Sequence, residues 1–227
     1  MEVIASSVET QNYIPILTKS DSNHFVVRDI PCVDSRFYLS LKRSFDAVAA
    51  LVLSILLLIP MLVIAILIKL DSPGPALFSQ ERLGLNGKPF MLYKFRSMRL
   101  DAEENGPQWA VKDDDRCTKL GLILRKSRLD ELPQLWNIFT GEMSFVGPRP
   151  ERACFYEQFE QYIHGFSKRM LVKPGLTGWA QINGGYDLLP EEKIVYDMEY
   201  IAMQSIRMDL TCMLKTVRLV FTHEGAR

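Results

Sequence analysis

The 227-residue chain has no net charge, because 27 Lys and Arg offset 27 Asp and Glu. Nonspecific affinity for nucleic acid comes from neutralising phosphates, so a chain without a basic surplus excludes nucleic acid as an expected partner. Cysteine and histidine are scarce and scattered. Cys32, Cys117, Cys154 and Cys212 form no Cys-x-x-Cys pair, and His24, His164 and His223 stand alone. Zinc-ligand spacing is therefore missing, no Ser-His pairing for acyl transfer is visible, and the thiols read as reduced. Internal repeats and low-complexity tracts are also absent. With 48% hydrophobic and 24% charged residues, disorder is excluded as the main state.

What the chain does have is one concentrated apolar run. Ala47 to Ile68 is 22 residues without a charge, interrupted only by Ser54 and Pro60. As a straight helix it would reach about 33 Å, enough for a hydrocarbon core of roughly 30 Å. Forty-six residues precede the run and no small-residue cleavage site follows it, so a removable signal peptide is not expected. Pro60 deletes a backbone hydrogen bond and bends the helix. Cations flank both sides: Arg36, Lys42 and Arg43 before, Lys69, Arg82 and Lys88 after. Two readings follow: a kinked single span, or a helix that enters, breaks at Pro60 and leaves by the same face. Lys42 and Arg43 are expected at headgroup level, in contact with lipid.

The remainder reads as a soluble working part. Residues 1–36 are expected to be a poorly ordered extension, 37–70 the membrane helix and 71–227 a cytosolic domain. Alternation on both sides of Asn86-Gly87 predicts a β-hairpin from Ala76 to Arg96 with a two-residue turn. Asp101 to Asp115 reads as a polar loop. Helices are expected over 120–128, 131–140 (closed by Gly141), 156–170 and 191–222, and a glycine-rich loop over 174–185. In the last helix the apolar positions 194, 198, 201, 206, 210, 213, 217 and 220 suit either a core-facing helix or one lying on a membrane surface.

Four clusters could carry chemistry. In Arg125-Lys-Ser-Arg-Leu-Asp130-Glu131-Leu-Pro133, two adjacent carboxylates follow several cations. Asp130 reads either as a helix N-cap, with a Ser127-x-x-Asp130 capping box, or as a nucleophile or metal ligand kept ionised by those cations. In Gly147-Pro148-Arg149-Pro150-Glu151, prolines fix the direction of Arg149, which suits a phosphate or a plain turn. Tyr93-Lys94-Phe95-Arg96 alternates cations with aromatics on a strand. The loop Pro174–Gly185, with Gln181 and Asn183, has glycines that allow close approach to a ligand. Asp113-Asp114-Asp115 reads as solvated. Cations, paired carboxylates and no histidine base together suit phosphoryl transfer on a polyanion with a divalent metal.

YKFRSMRLDAE (93–103), LRKSRLDELPQLWNIFTGEMSFVGPRPE (124–151) and KPGLTGWAQINGG (173–185) resemble the bacterial sugar transferase family, the monotopic phosphoglycosyl transferases in their small form. The resemblance covers residues 37 to 225. It implies transfer of a sugar 1-phosphate from a UDP-sugar to undecaprenyl phosphate, with release of UMP, as the priming step of exopolysaccharide or other glycan synthesis. It assigns Asp130 as the nucleophile that forms a phosphosugar-aspartyl intermediate, and Glu131, with Asp130, as a ligand of Mg²⁺. Lys94, Arg96, Arg125, Pro148, Arg149 and Gln181 become substrate-binding candidates. It implies a mainly helical α/β fold on a re-entrant helix broken at Pro60, held at the cytoplasmic membrane of a bacterium with the catalytic domain in the cytoplasm. Membrane lipids and downstream glycosyltransferases are the further expected partners. Arg128 departs from the family pattern, standing where Ser is usual before Leu-Asp-Glu, and Cys117 replaces a more usual aliphatic. Two other readings stay in view: a membrane-anchored binding protein, and a glycosyltransferase that moves only the sugar and releases UDP.

Overall fold

A computed structural model describes residues 16–21, 24–33, 35–104, 106, 108, 114–184 and 188–222. In chain order the elements are β1 (Leu17–Asp21), β2 (His24–Val27), α1 (Arg36–Leu56), α2 (Leu58–Asp71), β3 (Leu77–Leu83) and β4 (Pro89–Phe95). Then come α3 (Lys119–Lys126), α4 (Gln134–Thr140), β5 (Ser144–Val146), α5 (Ala153–Glu160), β6 (Ile163–His164), β7 (Gly175–Thr177), α6 (Trp179–Asn183), α7 (Pro190–Met203) and α8 (Ile206–Thr222). Short 3₁₀ turns fill Leu85–Gly87, Leu129–Glu131 and Phe166–Leu171. The fold is mixed α/β and mainly helical, with three small sheets ordered β1-β2-β6, β3-β4 and β5-β7.

The apolar run breaks where Pro60 acts. Its ring excludes the carbonyl of Leu56 four residues earlier, and α1 ends at that residue. Leu57 has left the helical region (φ −95°, ψ 5°), and α2 leaves at 62° to α1. Ser54 adds to the bend by donating to the Ala50 carbonyl at 2.7 Å. No single helix among the described residues is long and apolar enough to cross a membrane, whereas the bent pair is. Around the break Ile55, Leu56 and Ile59 are 65%, 68% and 74% exposed, an apolar surface that the described residues leave uncovered.

The arm is keyed into the rest of the protein by polar contacts at both ends. Lys42 and Arg43, expected among headgroups, are turned inward instead. Lys42 Nζ lies 2.8 Å from Asp209 Oδ2, and Tyr38 donates to the same oxygen at 2.8 Å. Arg43 donates to the Ile138 and Phe139 carbonyls, capping the C-terminus of α4. At the far end the guanidinium of Arg96 donates to the Ser72 and Pro73 carbonyls just beyond α2. A helix end leaves orphan carbonyls, and arginine satisfies several at once.

Three clusters hold the remainder. Ile194, Met198 and Ile201 of α7 pack with Val27, Val146, Ile163 and Phe166. Ala50 joins Phe90, Leu92, Leu135 and Ile138. Ile64 and Ile68 meet Ala76, Phe95 and Leu124. Asn137, fully buried, links α4 to the hairpin. Its Oδ1 accepts from Tyr93 N and its Nδ2 donates to Met91 O, so one amide side chain pairs with β4 as a neighbouring strand would.

Several expectations are corrected. The hairpin turn has three residues, Leu85–Gly87, although Asn86 and Gly87 do adopt the expected positive φ (55° and 75°). In the extension expected to be poorly ordered, residues 1–15 lie outside the described residues, while β1 pairs with β2 and β2 in turn with β6. The helix expected over 156–170 stops at Glu160, because its carboxylate accepts from Gly165 N and Ser167 N and Gly165 turns left-handed (φ 92°). The long C-terminal helix divides at Gln204, where ψ is 124°. On α8, Ile206, Leu210, Leu214 and Val217 stay exposed at helical spacing.

The loop expected over 174–185 is β7 and α6, and its glycines serve backbone packing. A Cβ on Gly175 would lie 2.1 Å from Gly147 N and 2.3 Å from Thr177 O. β7 and β5 therefore approach too closely for any side chain between them. Gly175→Ala is expected to lose about 3 kcal/mol by overpacking, seen as a lower melting temperature in detergent.

Candidate active site

The hairpin presents one face to a cavity of about 280 Å³. Opposed residues in an antiparallel pair share a face, and the pairs Phe78↔Lys94, Gln80↔Leu92 and Arg82↔Phe90 set this one. Alternation therefore sends Phe78, Gln80, Arg82, Leu92, Lys94 and Arg96 toward the same side, and all six line the cavity. The opposite wall is the 3₁₀ turn that carries Asp130 and Glu131, joined by Arg125, Arg128 and, after β5, Arg149.

The chain reaches that turn through an uncommon conformation. Thr118 caps α3 by accepting from Gly121 N, and Ser127 closes it by donating to the Ile123 and Leu124 carbonyls. Ser127 thus forms no capping box with Asp130. Arg128 then adopts φ 58°, a left-handed position usually filled by glycine after a helix. Asp130 caps neither neighbouring element: the turn starts at Arg128, and α4 is preceded by Pro133 without a side-chain cap. The capping explanation of this carboxylate fails.

Asp130 and Glu131 are 7% and 8% exposed, and their environments differ. Glu131 Oε1 lies 2.5 Å from Arg149 Nη2 and 3.6 Å from Lys94 Nζ. Burial favours its neutral form, but Arg149 and Lys94 together outweigh burial and hold the carboxyl well below its usual range. For Asp130, burial and the neighbouring charge of Glu131 dominate over Lys94, Arg125 and Arg149, pushing it up to about 6. Burial, aided by Arg149, lowers Lys94 to about 8. Two adjacent carboxyls with pKa values driven apart mark a division of labour: one is a fixed anion, the other sits near the point of ionisation.

Of the other sequence candidates, Arg125 lines the cavity and donates to Cys117 Sγ at 3.2 Å. Arg96 lines it too, but its Nη1 and Nη2 donate to the carbonyls after α2, so it acts as a clamp on the apolar arm. Pro148 accepts from Gly175 N through its carbonyl, and this fixes the approach of Arg149. Gln181 on α6 is away from the cavity lining, its amide buried without a hydrogen-bond partner among the described residues. Asp113 lies outside the described residues, Asp114 pairs with Arg116 at 2.5 Å, and Asp115 is exposed. Sequence reasoning missed Arg82, Arg116, Arg152 and Lys193 in the lining. The first was within reach, since strand alternation places it on the Lys94 face.

A model of the family described as bacterial sugar transferase matches residues 37–223. The chain belongs to that family. It is 44% identical over 197 residues to the UDP-N-acetylgalactosamine-undecaprenyl-phosphate N-acetylgalactosaminephosphotransferase of Aeromonas hydrophila, covering 85% of this chain and 46% of the relative. Over 229 residues, 99% of this chain and 47% of the relative, it is 38% identical to the UDP-glucose:undecaprenyl-phosphate glucose-1-phosphate transferase of Escherichia coli K12. A putative undecaprenyl-phosphate N-acetylgalactosaminyl 1-phosphate transferase of Bacillus subtilis is 51% identical over 134 residues, 59% of this chain and 74% of its own. The chain spans about half the length of the first two.

Proposed function

We propose that this protein transfers a sugar 1-phosphate from a UDP-sugar to undecaprenyl phosphate and releases UMP. The observation that carries the reading is the buried Asp130 beside a cation-bound Glu131, in a cavity rich in arginine, one of whose lining residues, Arg96, grips the end of a bent apolar arm. Asp130 Oδ attacks the phosphorus that bears the sugar. The bond from that phosphorus to the bridging oxygen breaks, and the oxygen leaves with UMP. An oxygen of the lipid phosphate then attacks the same phosphorus, the bond to Asp130 breaks, and the carboxylate is regenerated. Lys94 and Arg149 would neutralise charge on the phosphoryl oxygens, and Glu131 fixes both cations in place.

The donor set suits Mg²⁺. Among the described residues there is no group of three or more acidic, His or Cys ligands, but Mg²⁺ needs only one or two carboxylates when phosphates and water complete its shell. Asp130, whose charge is opposed by Glu131, gains most from a nearby cation. When bound, Mg²⁺ supplies charge neutralisation to the diphosphate. The bent helix pair, cations on both flanks and the exposed surface at its break favour a re-entrant arm in the cytoplasmic membrane, with the domain on the cytoplasmic side where UDP-sugars occur. The stripe along α8 would rest on the same surface, and enzymes acting later on the lipid-linked sugar would share it.

The test is nucleotide release by purified protein in nanodiscs with Mg²⁺, a panel of UDP-sugars, and undecaprenyl phosphate present or withheld. UMP release sustained only with the lipid supports the reading. UDP release would mean plain glycosyl transfer, and no release from any donor would favour a binding protein. Under the same chemistry kcat/KM is expected to be bell-shaped in pH. It falls below about 6 as Asp130 takes up a proton, and above about 8 as Lys94 loses one. A flat profile from pH 5 to 9 would contradict these assignments.

A further inference from the structure

Arg128 lines the cavity, and among the described residues its guanidinium has no partner. It makes no side-chain hydrogen bond or ion pair among the described residues, unlike Arg82, Arg116, Arg149 and Arg152 around it. Its charge adds to that of Arg149 and Lys94 in holding the Glu131 carboxyl ionised. Its backbone sits at φ 58°, where a residue bearing Cβ is disfavoured, two positions before Asp130. An arginine kept in a position suited to glycine, and left unpaired beside a buried carboxylate, is placed for an anion that is not part of the protein.

The surroundings say which anion. Arg128 lies between Leu124 and Leu132, and both pack into the cluster built on Ile64 and Ile68 of the membrane arm. Its neighbour Leu129 is 38% exposed, and Ile123, one turn earlier on α3, is 63% exposed. Lys94 and Arg149 reach the cavity from the hairpin and from β5, and they are already bound to Glu131. Of these three, Arg128 is the one without a side-chain partner among the described residues, and it stands between two leucines of the cluster that packs on the arm. A phosphate monoester carried on a long apolar chain that lay along the arm would find this guanidinium two residues from Asp130 in the lining of the same cavity.

We propose that Arg128 is the contact for the phosphate of the lipid acceptor, and that the donor diphosphate is held by Lys94 and Arg149. This assignment rests on the phosphosugar-transfer reading above. A planar guanidinium can grip a phosphate by two parallel bonds and orient the attacking oxygen toward the phosphorus held at Asp130.

The experiment compares wild type, Arg128→Gly and Arg128→Lys in nanodiscs, varying undecaprenyl phosphate and the donor separately. Glycine accepts φ 58° freely, so Arg128→Gly removes the side chain without disturbing the turn. It is expected to raise KM for the lipid by about tenfold or more, the loss of one charge-assisted contact, while KM for the donor moves less than about twofold. Arg128→Lys should fall between. A rise confined to the donor KM, or no change in either, would overturn the assignment. If wild type itself releases UDP or ignores the lipid, the underlying reading fails instead, and that failure appears before any variant is compared.

Discussion

Asp130→Asn is expected to abolish turnover and, at the same time, to make the protein more stable at neutral pH. The first effect follows from losing the attacking oxygen: Asn has the size and polarity of Asp but no anionic nucleophile, so kcat should fall by about 10⁴-fold or more. The second follows from linkage. The folded state holds the Asp130 proton more tightly than the unfolded chain, with a pKa raised from 3.8 to about 6. Ionisation therefore opposes folding. The penalty is absent below about pH 4, grows between 4 and 6, and is constant above. Two pKa units correspond to about 2–3 kcal/mol, so Asp130→Asn should match wild type near pH 4 and exceed it by roughly that amount at pH 7.5. Thermal melts in detergent across this range, paired with UMP-release assays, check both halves. An Asp130→Asn protein that still turns over would overturn the nucleophile role of Asp130. One that melts lower at pH 7.5 shows that the surrounding cations already compensate the charge.

A comparable loss, in stability rather than chemistry, is expected at Arg169. Its guanidinium lies 2.6 Å from Asp197, with both side chains 1% exposed, and sits 5.0 Å above the ring of Phe166. Arg169→Met leaves Asp197 buried without its cation and should cost about 3–5 kcal/mol. Nε and Nη1 of Arg169 have no hydrogen-bond partner among the described residues, so the pair does not recover its desolvation well. The double substitution Arg169→Met with Asp197→Leu should therefore regain most of the loss, since an apolar pair of similar volume needs no such compensation. Chemical denaturation of the four proteins completes the cycle. If the double variant is as weak as the single one, the ion pair stabilises through something other than mutual charge compensation.

Local signals were readable in the sequence and distant ones were not. Alternation with Asn-Gly located the hairpin, and Pro60 located the helix break to within a turn, because each acts on residues a few positions away. The Asp130–Glu131 pair stood out because carboxylates among cations contrast with their own neighbours. The partners of Lys42, Arg43 and Arg96 within the protein were not legible, for the opposite reason. Their acceptors lie 167, 95 and 24 residues away, and for Arg43 and Arg96 they are backbone carbonyls, which every residue carries and no sequence pattern distinguishes. Gly175 of β7 and Gly178 just after it misled in the same way, since close approach to a ligand and close approach to Gly147 ask for the same missing side chain.

The clasp of Arg96 on the end of α2 bears on how the enzyme can be handled. The next inward-facing residue back along β4 is Lys94, so the helix end and the site's cation hang from one short stretch of strand. Removing residues up to 71 to obtain a water-soluble fragment would strip Arg96 of its Ile68 acceptor, Asp209 of Lys42 and the end of α4 of Arg43. The apolar arm is thus no interchangeable tether. It is a structural member of the fold that carries the cavity, and the position of Asp130 relative to the arm is set by protein geometry rather than by the slack of a linker.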